Sequence, residues 1–457
     1  MIRKCFFDLK PSKPTDFRSS LSISLNFIVF NLRRVPSKEM APAKGKGNVK
    51  KKGKGSSKIT KSRAPESTSD LYFPREIISN ILSRLPVKIL LRFRCVCKQW
   101  RNLISKPHFI AAHFSHSSAL QRSGSSILIG TRHYESSHHV LSLYTPPPEP
   151  ESSSSIVELD SPFPCFFPHM YIVGPCNGIV CLFQPPWGDL ISLWNPAMRQ
   201  SRMVKLSESE PVMGVHCWAS IGLAFDPQEN DFLVLRIFTA VPTSTVPNHV
   251  EMWSTKSFGW KKLKSEVVFH IPGHTSNVNV KGVPYWFATV TDEFGWRPVL
   301  VRFDVRKKVF EKLPMLGTGE RNKKHQQLMV LDDSLGKLTF DERGESFFDV
   351  WVMDDEDGWT KKYKVGPLLG LDRTMGCLRN GDIVAKNKEE AVFLFDPVTC
   401  SVKANLSIDS SKNGAYMIFD YSESLMLIGG MQPVKKQNVR DKLARKKLTR
   451  ACVDFML

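Results

Sequence analysis

Residues 299–314 read VLVRFDVRKKVFEKLP. An apolar run ends in Phe303 and Asp304, a short basic turn follows, and a second strand-like run returns. That is the pattern of a β-hairpin, because strand-forming side chains flank a break in the alternation. The same form recurs in ISLWNPAMRQSRMVKL (191–206) and AVFLFDPVTCSVKANL (391–406). A second form, an aromatic strand, a polar hairpin and then Gly-Trp with lysines, occurs in VEMWSTKSFGWKKL (250–263) and FDVWVMDDEDGWTKKYKV (348–365). Both describe a hairpin whose turn lies between two outer strands. Their alternation every ~40–50 residues is how a propeller blade reads in a sequence. Further β-rich runs bounded by turn residues are SSILIG (125–130), GIVCLF (178–183), DFLVLRIF (231–238) and VPYWFA (283–288). Divided by that period, roughly 310 residues give about six blades. A pair of β-sandwiches is the rival arrangement.

A chain of 457 residues leaves room for about two to three structural units. Its net charge of +20 is unevenly spread. Residues 1–70 carry 17 basic and 5 acidic groups, residues 71–114 carry 8 and 1, and residues 434–457 carry 8 and 2. The long middle, 115–433, carries 31 basic and 36 acidic groups, so the β-rich part does not read as a nucleic-acid surface. The domains expected are a disordered basic arm (1–70), a helical segment (71–114), the β domain (115–433) and a basic tail (434–457). The Gly-Lys repeats of the arm miss the spacing of a phosphate loop and suit a flexible tail or a nuclear-import or polyanion-binding tract. LSISLNFIVFNL (21–32) is shorter than the roughly 20 residues a membrane span requires. Arg33 and Arg34 follow it in place of a small-residue cleavage site, which argues against a secretory signal; a Ser- and Arg-containing transit peptide and a start at Met40 are the alternatives. Ten cysteines without a C-x-x-C pair fit a reducing compartment, with thiols acting as small core residues.

The helical segment reads LYFPREIISNILSRLPVKILLRFRCVCKQWRNLISKPHFIAAHF (71–114). Its stretch 81–100 holds five Lys or Arg and no carboxylate among many apolar side chains. Pro74 suits the opening of a helix, where a missing N–H costs nothing. Ile77, Ile78, Ile81, Leu82 and Leu85 then form one apolar stripe. A second helix carries Ile89, Leu90, Leu91 and Phe93, and a third carries Val96, Trp100, Leu103 and Ile104, ending near Pro107. Three short helices cannot bury all of these on their own. The remainder must cover the β domain or meet a partner, and the cationic rim favours an acidic one.

This segment resembles an F-box. The features are Phe73-Pro74, ILSRLPVK (81–88), LLRFRCVCKQWRNLI (90–104) and the closing Pro107 to Phe109. Phe73 stands where Leu is usual, and Arg75 replaces an acidic or small residue in the first turn. GPCNGIVCLF (174–183), LWNPAMRQ (193–200), GLAFDP (222–227) and YSESLMLIG (421–429) resemble the F-box-associated, kelch-like domain of plant F-box proteins. The expected fold is α+β and multidomain: a small three-helix F-box, then an all-β propeller-like domain of about six blades. The resemblance implies docking on a Skp-family adaptor and, through it, a cullin. The chain would be the substrate receptor of a ubiquitin ligase, without catalysis of its own, in the nucleus, the cytoplasm or both. The adaptor-binding residues it implies are Pro74, Ile77, Ile78, Leu82, Leu85, Pro86, Leu90, Leu91, Val96 and Trp100, with Trp100 equally suited to the helical core. The protein substrate is not legible.

Other constellations point to turns and cores. Cys165 and His169 lie in SPFPCFFPHM (161–170), whose three prolines forbid a shared helix face, and His270 and His274 flank Pro272-Gly273. His138-His139 cannot converge on one metal, DDED (354–357) and Asp332-Asp333 read as hairpin tips, and the tryptophans at 253, 260, 286, 296, 351 and 359 read mainly as blade core. No cofactor, metal or catalytic set is expected. A nucleic-acid-binding protein acting through its basic tails is the alternative; a propeller enzyme is a third reading, for which converging ionisable groups are not evident.

Overall fold

The computed structural model describes residues 74–120, 126–133, 139–146, 155–163, 170–184, 190–205, 207, 216–240, 248–264, 268–275, 278–292, 295–315, 324–341, 347–366, 371–389, 391–406, 408 and 413–435. Phe73, the basic arm, His138, Cys165, His169 and the tail beyond Lys435 lie outside the described residues. The chain divides into two compact units, Met1–Ile78 and Ser79–Leu457.

Four helices open the described chain, where the sequence suggests three. They are α1 (Arg75–Leu82), α2 (Val87–Phe93), α3 (Lys98–Ile104) and α4 (Pro107–Leu120). The carbonyl of Pro74 accepts from the N–H groups of Ile77 and Ile78, which starts α1. Pro86 is extended at the N-cap of α2, and its carbonyl accepts from Ile89 and Leu90. Cys97 caps α3 through Sγ, which accepts from the Trp100 N–H at 3.4 Å. Pro107 is where the third helix was expected to end, and it instead occupies the first position of α4, where its missing N–H is harmless. Phe109 and His113 anchor α4 inward, at 0% and 2% exposure.

The β domain is a six-bladed propeller. Blade I has β1 (Ser126–His133), β2 (His139–Thr145) and β3 (Ser155–Leu159). Blade II has β4 (Tyr171–Cys176), β5 (Ile179–Phe183), β6 (Ile191–Asn195) and β7 (Gln200–Val204). Blade III has β8 (His216–Asp226), β9 (Asp231–Ala240), β10 (His249–Ser254) and β11 (Gly259–Leu263). Blade IV has β12 (Val278–Val280), β13 (Val283–Asp292), β14 (Gly295–Asp304) and β15 (Val309–Leu313). Blade V has β16 (Lys324–Leu331), β17 (Ser334–Asp341), β18 (Phe348–Met353) and β19 (Trp359–Val365). Blade VI has β20 (Leu371–Cys377), β21 (Ile383–Asn387), β22 (Val392–Asp396) and β23 (Ser401–Asn405). The chain then returns as β24 (Asn413–Tyr421), which pairs antiparallel with β1 and becomes the inner strand of blade I. A short β25 (Gln432–Pro433) adds to the outer edge of blade II through β7. Ring closure therefore joins the two ends of the β domain in one sheet, and the open edges that a flat sheet would expose are reduced to one short strand per blade.

The repeated hairpins of the sequence are the outer strand pairs of successive blades, and one local chemistry builds them. The last residue of the third strand folds its side chain over the turn. Asp304 Oδ1 accepts from Arg306 N and Lys307 N at 2.8 and 2.9 Å, Asp396 Oδ1 from Val398 N at 2.8 Å, and Asn195 Oδ1 from Met198 N at 3.0 Å. In the DDED tip, Asp354 Oδ1 accepts from Gly358 N at 2.7 Å, so that acidic run is a turn.

Apolar clusters cement each neighbouring pair of blades. Trp253 with Val234 and Leu193 joins blades II and III, Trp286 with Leu235 and Phe303 joins III and IV, and Trp194 with Leu128 and Tyr421 joins I and II. Trp194, Trp253 and Trp286 are fully buried. Trp260, Trp351 and Trp359 are half-buried and Trp296 is 55% exposed, so only part of the tryptophan set serves the core. Cys176 and Cys181 are buried in the same interiors, and burial pushes the Cys176 thiol up to about 12.

Candidate functional site

The helices carry the first candidate surface. Leu82, Leu85, Leu90 and Trp100 are buried at 2%, 8%, 0% and 4% exposure. Trp100 packs its ring 5.0 Å from that of Phe93, and the Leu85 carbonyl accepts from His113 Nε2 at 2.9 Å. In this conformation these four side chains hold the helices in place and do not face outward. Burial lowers the pKa of His113, which keeps its ring neutral with the proton on Nε2. Pro74, Ile77 and Pro86 are exposed, Ile77 at 46%, while Ile78, Leu91 and Val96 are half-buried. The sequence-derived set of ten thus separates into side chains that build the helices and side chains that a partner can reach. Arg84, Lys88, Arg92, Lys98 and Arg101 are all exposed, and Glu76 is the one carboxylate on the helices.

The seat of the helices on the propeller was not foreseen. The extended segment after β24 reaches them: Glu423 Oε2 accepts from the Val87 N–H at 3.1 Å, at the start of α2. Burial raises the Glu423 pKa, an effect opposed by that hydrogen bond and by the Lys88 ammonium. Ser118 of α4 donates to the Ser422 hydroxyl at 3.4 Å. The same segment is then tied to blade II, where the buried Asn195 Nδ2 donates to the carbonyls of Ser424 and Met426 at 2.9 and 2.7 Å. Gly178 has φ +76, and a Cβ there would lie 2.3 Å from that of Ser424. Asn177-Gly178 and Asn195-Pro196 are architectural, and their role is to receive this segment. Glu423 lies within YSESLMLIG, but nothing local in that motif points to Val87, 336 residues away.

The two faces of the propeller differ. Strand pairs turn tightly at one face, at 177–178, 281–282 and 332–333 for inner hairpins and 305–308 and 397–400 for outer ones. Phe114, Ser115, Ser118 and Ala119 of α4 lie over the axis on that face. The strands leave from the opposite face into longer connections, up to the 14 residues of 264–277. Near that face an aromatic series runs from blade II to blade IV. Tyr171 lies 5.0 Å from His274, His274 lies 5.8 Å from Trp218, Trp218 lies 5.5 Å from His270, and His270 lies 6.5 Å from Trp296. His270 and His274 are therefore brought close by their shared neighbour Trp218, though not on a helix. Among the described residues no group of three or more His, Cys, Asp or Glu is placed to hold a metal, and no helix is long and apolar enough to cross a membrane.

Comparison with known proteins agrees with this architecture. Residues 71–111 match the F-box domain, and residues 138–428 match the F-box associated beta propeller domain. An F-box/kelch-repeat protein of Arabidopsis thaliana is 26% identical over 324 residues, covering 68% of this chain and 85% of its own. An F-box/WD-40 repeat-containing protein of the same plant is 26% identical over 326 residues, covering 66% and 71%. Among solved structures, the β-propeller domain of Cps50 (Swd1) aligns with a TM-score of 0.31 at 8% identity, covering 54% of this chain and 92% of that one. The chain belongs to the F-box-associated β-propeller family and is an F-box protein of the kind found in plants.

Proposed function

We infer that the chain is the substrate-recognition subunit of a Skp–cullin–F-box ubiquitin ligase. The helices dock on a Skp-family adaptor, the adaptor hangs from a cullin, and the propeller holds a protein substrate. The observation that carries this reading is the exposure of Ile77 and Pro86 on helices whose outward charges are almost all positive. Apolar anchors with a cationic rim suit an acidic partner surface. The receptor needs no active site, because its family is generally non-catalytic and its physics is effective concentration: a substrate held near the transfer machinery reacts more often. The substrate side is the face opposite α4, where the connections are longest and Tyr171, Trp218 and Trp296 gather. Long loops on a rigid scaffold are where recognition residues collect.

The test is capture of a purified Skp-family adaptor by the full chain. Ile77→Asp alters an exposed position and leaves the buried helical interior intact, and it weakens capture by about 30-fold or more, as loss of an interface anchor does. Undiminished capture by a folded Ile77→Asp chain overturns the assignment of this surface. Leu85→Ala is unsuitable for the purpose, because Leu85 is buried and its loss perturbs the fold.

A further inference from the structure

On the capped face, α4 and the inner hairpins line a half-open chamber of about 400 Å³ on the propeller axis. Cavities of roughly 300–1,000 Å³ suit small organic ligands. Its apolar lining comes from Phe114 and Ala119 of α4 and Phe225 and Pro227 of blade III. Most of its charged and amide groups are already committed. Asn279 Nδ2 donates to the Leu223 carbonyl at 2.6 Å, and its Oδ1 accepts from Gly282 N at 2.9 Å. Asp420 Oδ2 accepts from the Arg379 backbone N–H at 2.8 Å, and Asp333 Oδ1 lies 3.4 Å from an Arg379 terminal nitrogen.

Two cationic side chains of the chamber keep donors to spare, although the Arg379 charge is shared with Asp333. Arg379 Nε is buried and has no hydrogen-bond partner. Lys281 is exposed and sits in the turn between β12 and β13 at φ 49, left-handed backbone that favours Gly or Asn. A turn of this kind is commonly Asn-Gly, as at 177–178, and a long cationic side chain there is held at a conformational cost. Spare donors on cationic side chains, in a lining that is otherwise partly apolar, define a ligand with an anionic end and an apolar body. We propose that this chamber binds a small organic acid, its carboxylate at Lys281 and Arg379 and its body against Phe114, Phe225 and Pro227. One wall belongs to the helix that continues the F-box, so an occupant ties that helix to the propeller.

The experiment uses the full chain and three probes: benzoate, its neutral isostere benzamide, and inorganic phosphate. Thermal unfolding is followed as each is titrated to millimolar concentration, and calorimetry gives the affinity. Benzoate raises the midpoint and saturates, while benzamide binds at least about tenfold more weakly for want of the charge. Lys281→Gly is the decisive variant, because Gly relaxes the left-handed turn and keeps the fold while deleting the ammonium. It weakens benzoate at least about tenfold, and Lys281→Arg restores most of the affinity. Three outcomes overturn the proposal: no saturable effect of benzoate, equal binding of benzamide, or unchanged binding by Lys281→Gly. An equal, unsaturable rise with phosphate is a general salt effect and overturns it as well.

Discussion

Glu423 is the sharpest place to perturb how the helices are seated. Its carboxylate receives the Val87 N–H at the first turn of α2, and Val87 is 0% exposed. Replacing Glu423 by Ala leaves that N–H buried without an acceptor, at about 1–3 kcal/mol. Loss of a negative group near a helix start adds about 0.3–1 kcal/mol. Relief of burying a charge works the other way, since the raised pKa of Glu423 shows that its ionised form is disfavoured in the folded chain. Glu423→Gln separates the two effects, because it keeps an acceptor for Val87 and removes the charge. The Ala variant is destabilised by about 1–3 kcal/mol and the Gln variant by less than about 1 kcal/mol, or not at all.

Native-state hydrogen exchange at the Val87 amide reads this locally. Exchange in Glu423→Ala is faster by about fivefold to a hundredfold, and in Glu423→Gln it stays within a few-fold of the parent. The pH dependence gives a second check. A carboxylate whose folded pKa lies above its ordinary 4.5 is protonated more readily in the folded state. Its contribution therefore disfavours folding above the folded pKa, and the penalty disappears as pH falls through that value. Any advantage of Gln over Glu is largest at neutral pH and vanishes on acidification. A Gln variant as disruptive as Ala, or an Ala variant with unchanged exchange, refutes the argument that this hydrogen bond seats α2.

Two further outcomes test the packing between blades. A Cβ on Gly222 would lie 2.4 Å from the Trp286 ring, whose Nε1 donates to Ser220 Oγ at 3.2 Å, so Gly222→Ala lowers stability by about 1–3 kcal/mol. Adding Trp286→Phe recovers part of the loss; denaturant unfolding of the single and double variants measures the coupling, and strict additivity refutes it. Lys337 is buried with its ammonium 5.0 Å from the Trp359 ring, and burial pushes its pKa down to about 8 from 10.5. The unfolded chain binds the extra proton between those values, so stability rises with pH across that window. Lys337→Met raises the unfolding midpoint at pH 7, and a gain that fails to shrink as pH passes from about 8 to about 10.5 contradicts the burial argument.

The hairpins were legible because their chemistry is local. Asp304, Asp396 and Asn195 each close their own turn within three residues, so the sequence displays strand, turn and strand together. The blade count followed from that spacing. The composite blade was not legible: β24 pairs Phe419 with Leu128, and no short-range pattern announces a partner so distant. The helical stripe foretold which side chains are apolar, but not that Leu82, Leu85, Leu90 and Trp100 are used up inside while Ile77 and Pro86 remain outside. Periodicity reports a greasy face, and only the packed partners decide what covers it. Pro107 misled for a similar reason, since proline stops one helix and opens another with the same residue. The axial chamber draws its walls from all six blades and a helix, each contributing one to four residues that look ordinary in isolation.

The segment from Ser422 to Val434 links these observations. Short helices in this number have too little interior to be stable alone. Here they gain what they lack from the end of the chain: Glu423 caps α2, Ser422 meets α4, and Asn195 holds the next residues against blade II. That segment leaves directly from β24, the strand that closes the ring. Closing the propeller and seating the helices are thus consecutive steps of one chain path, and a helix that comes loose forfeits contacts anchored in the closed ring. A receptor that works by holding a substrate at a set distance from an adaptor depends on that stiffness, because a floppy connection spreads the substrate over a larger volume and lowers its effective concentration. On the proposed reading, the buried carboxylate of Glu423 is retained despite its desolvation cost because it fixes where the helices stand.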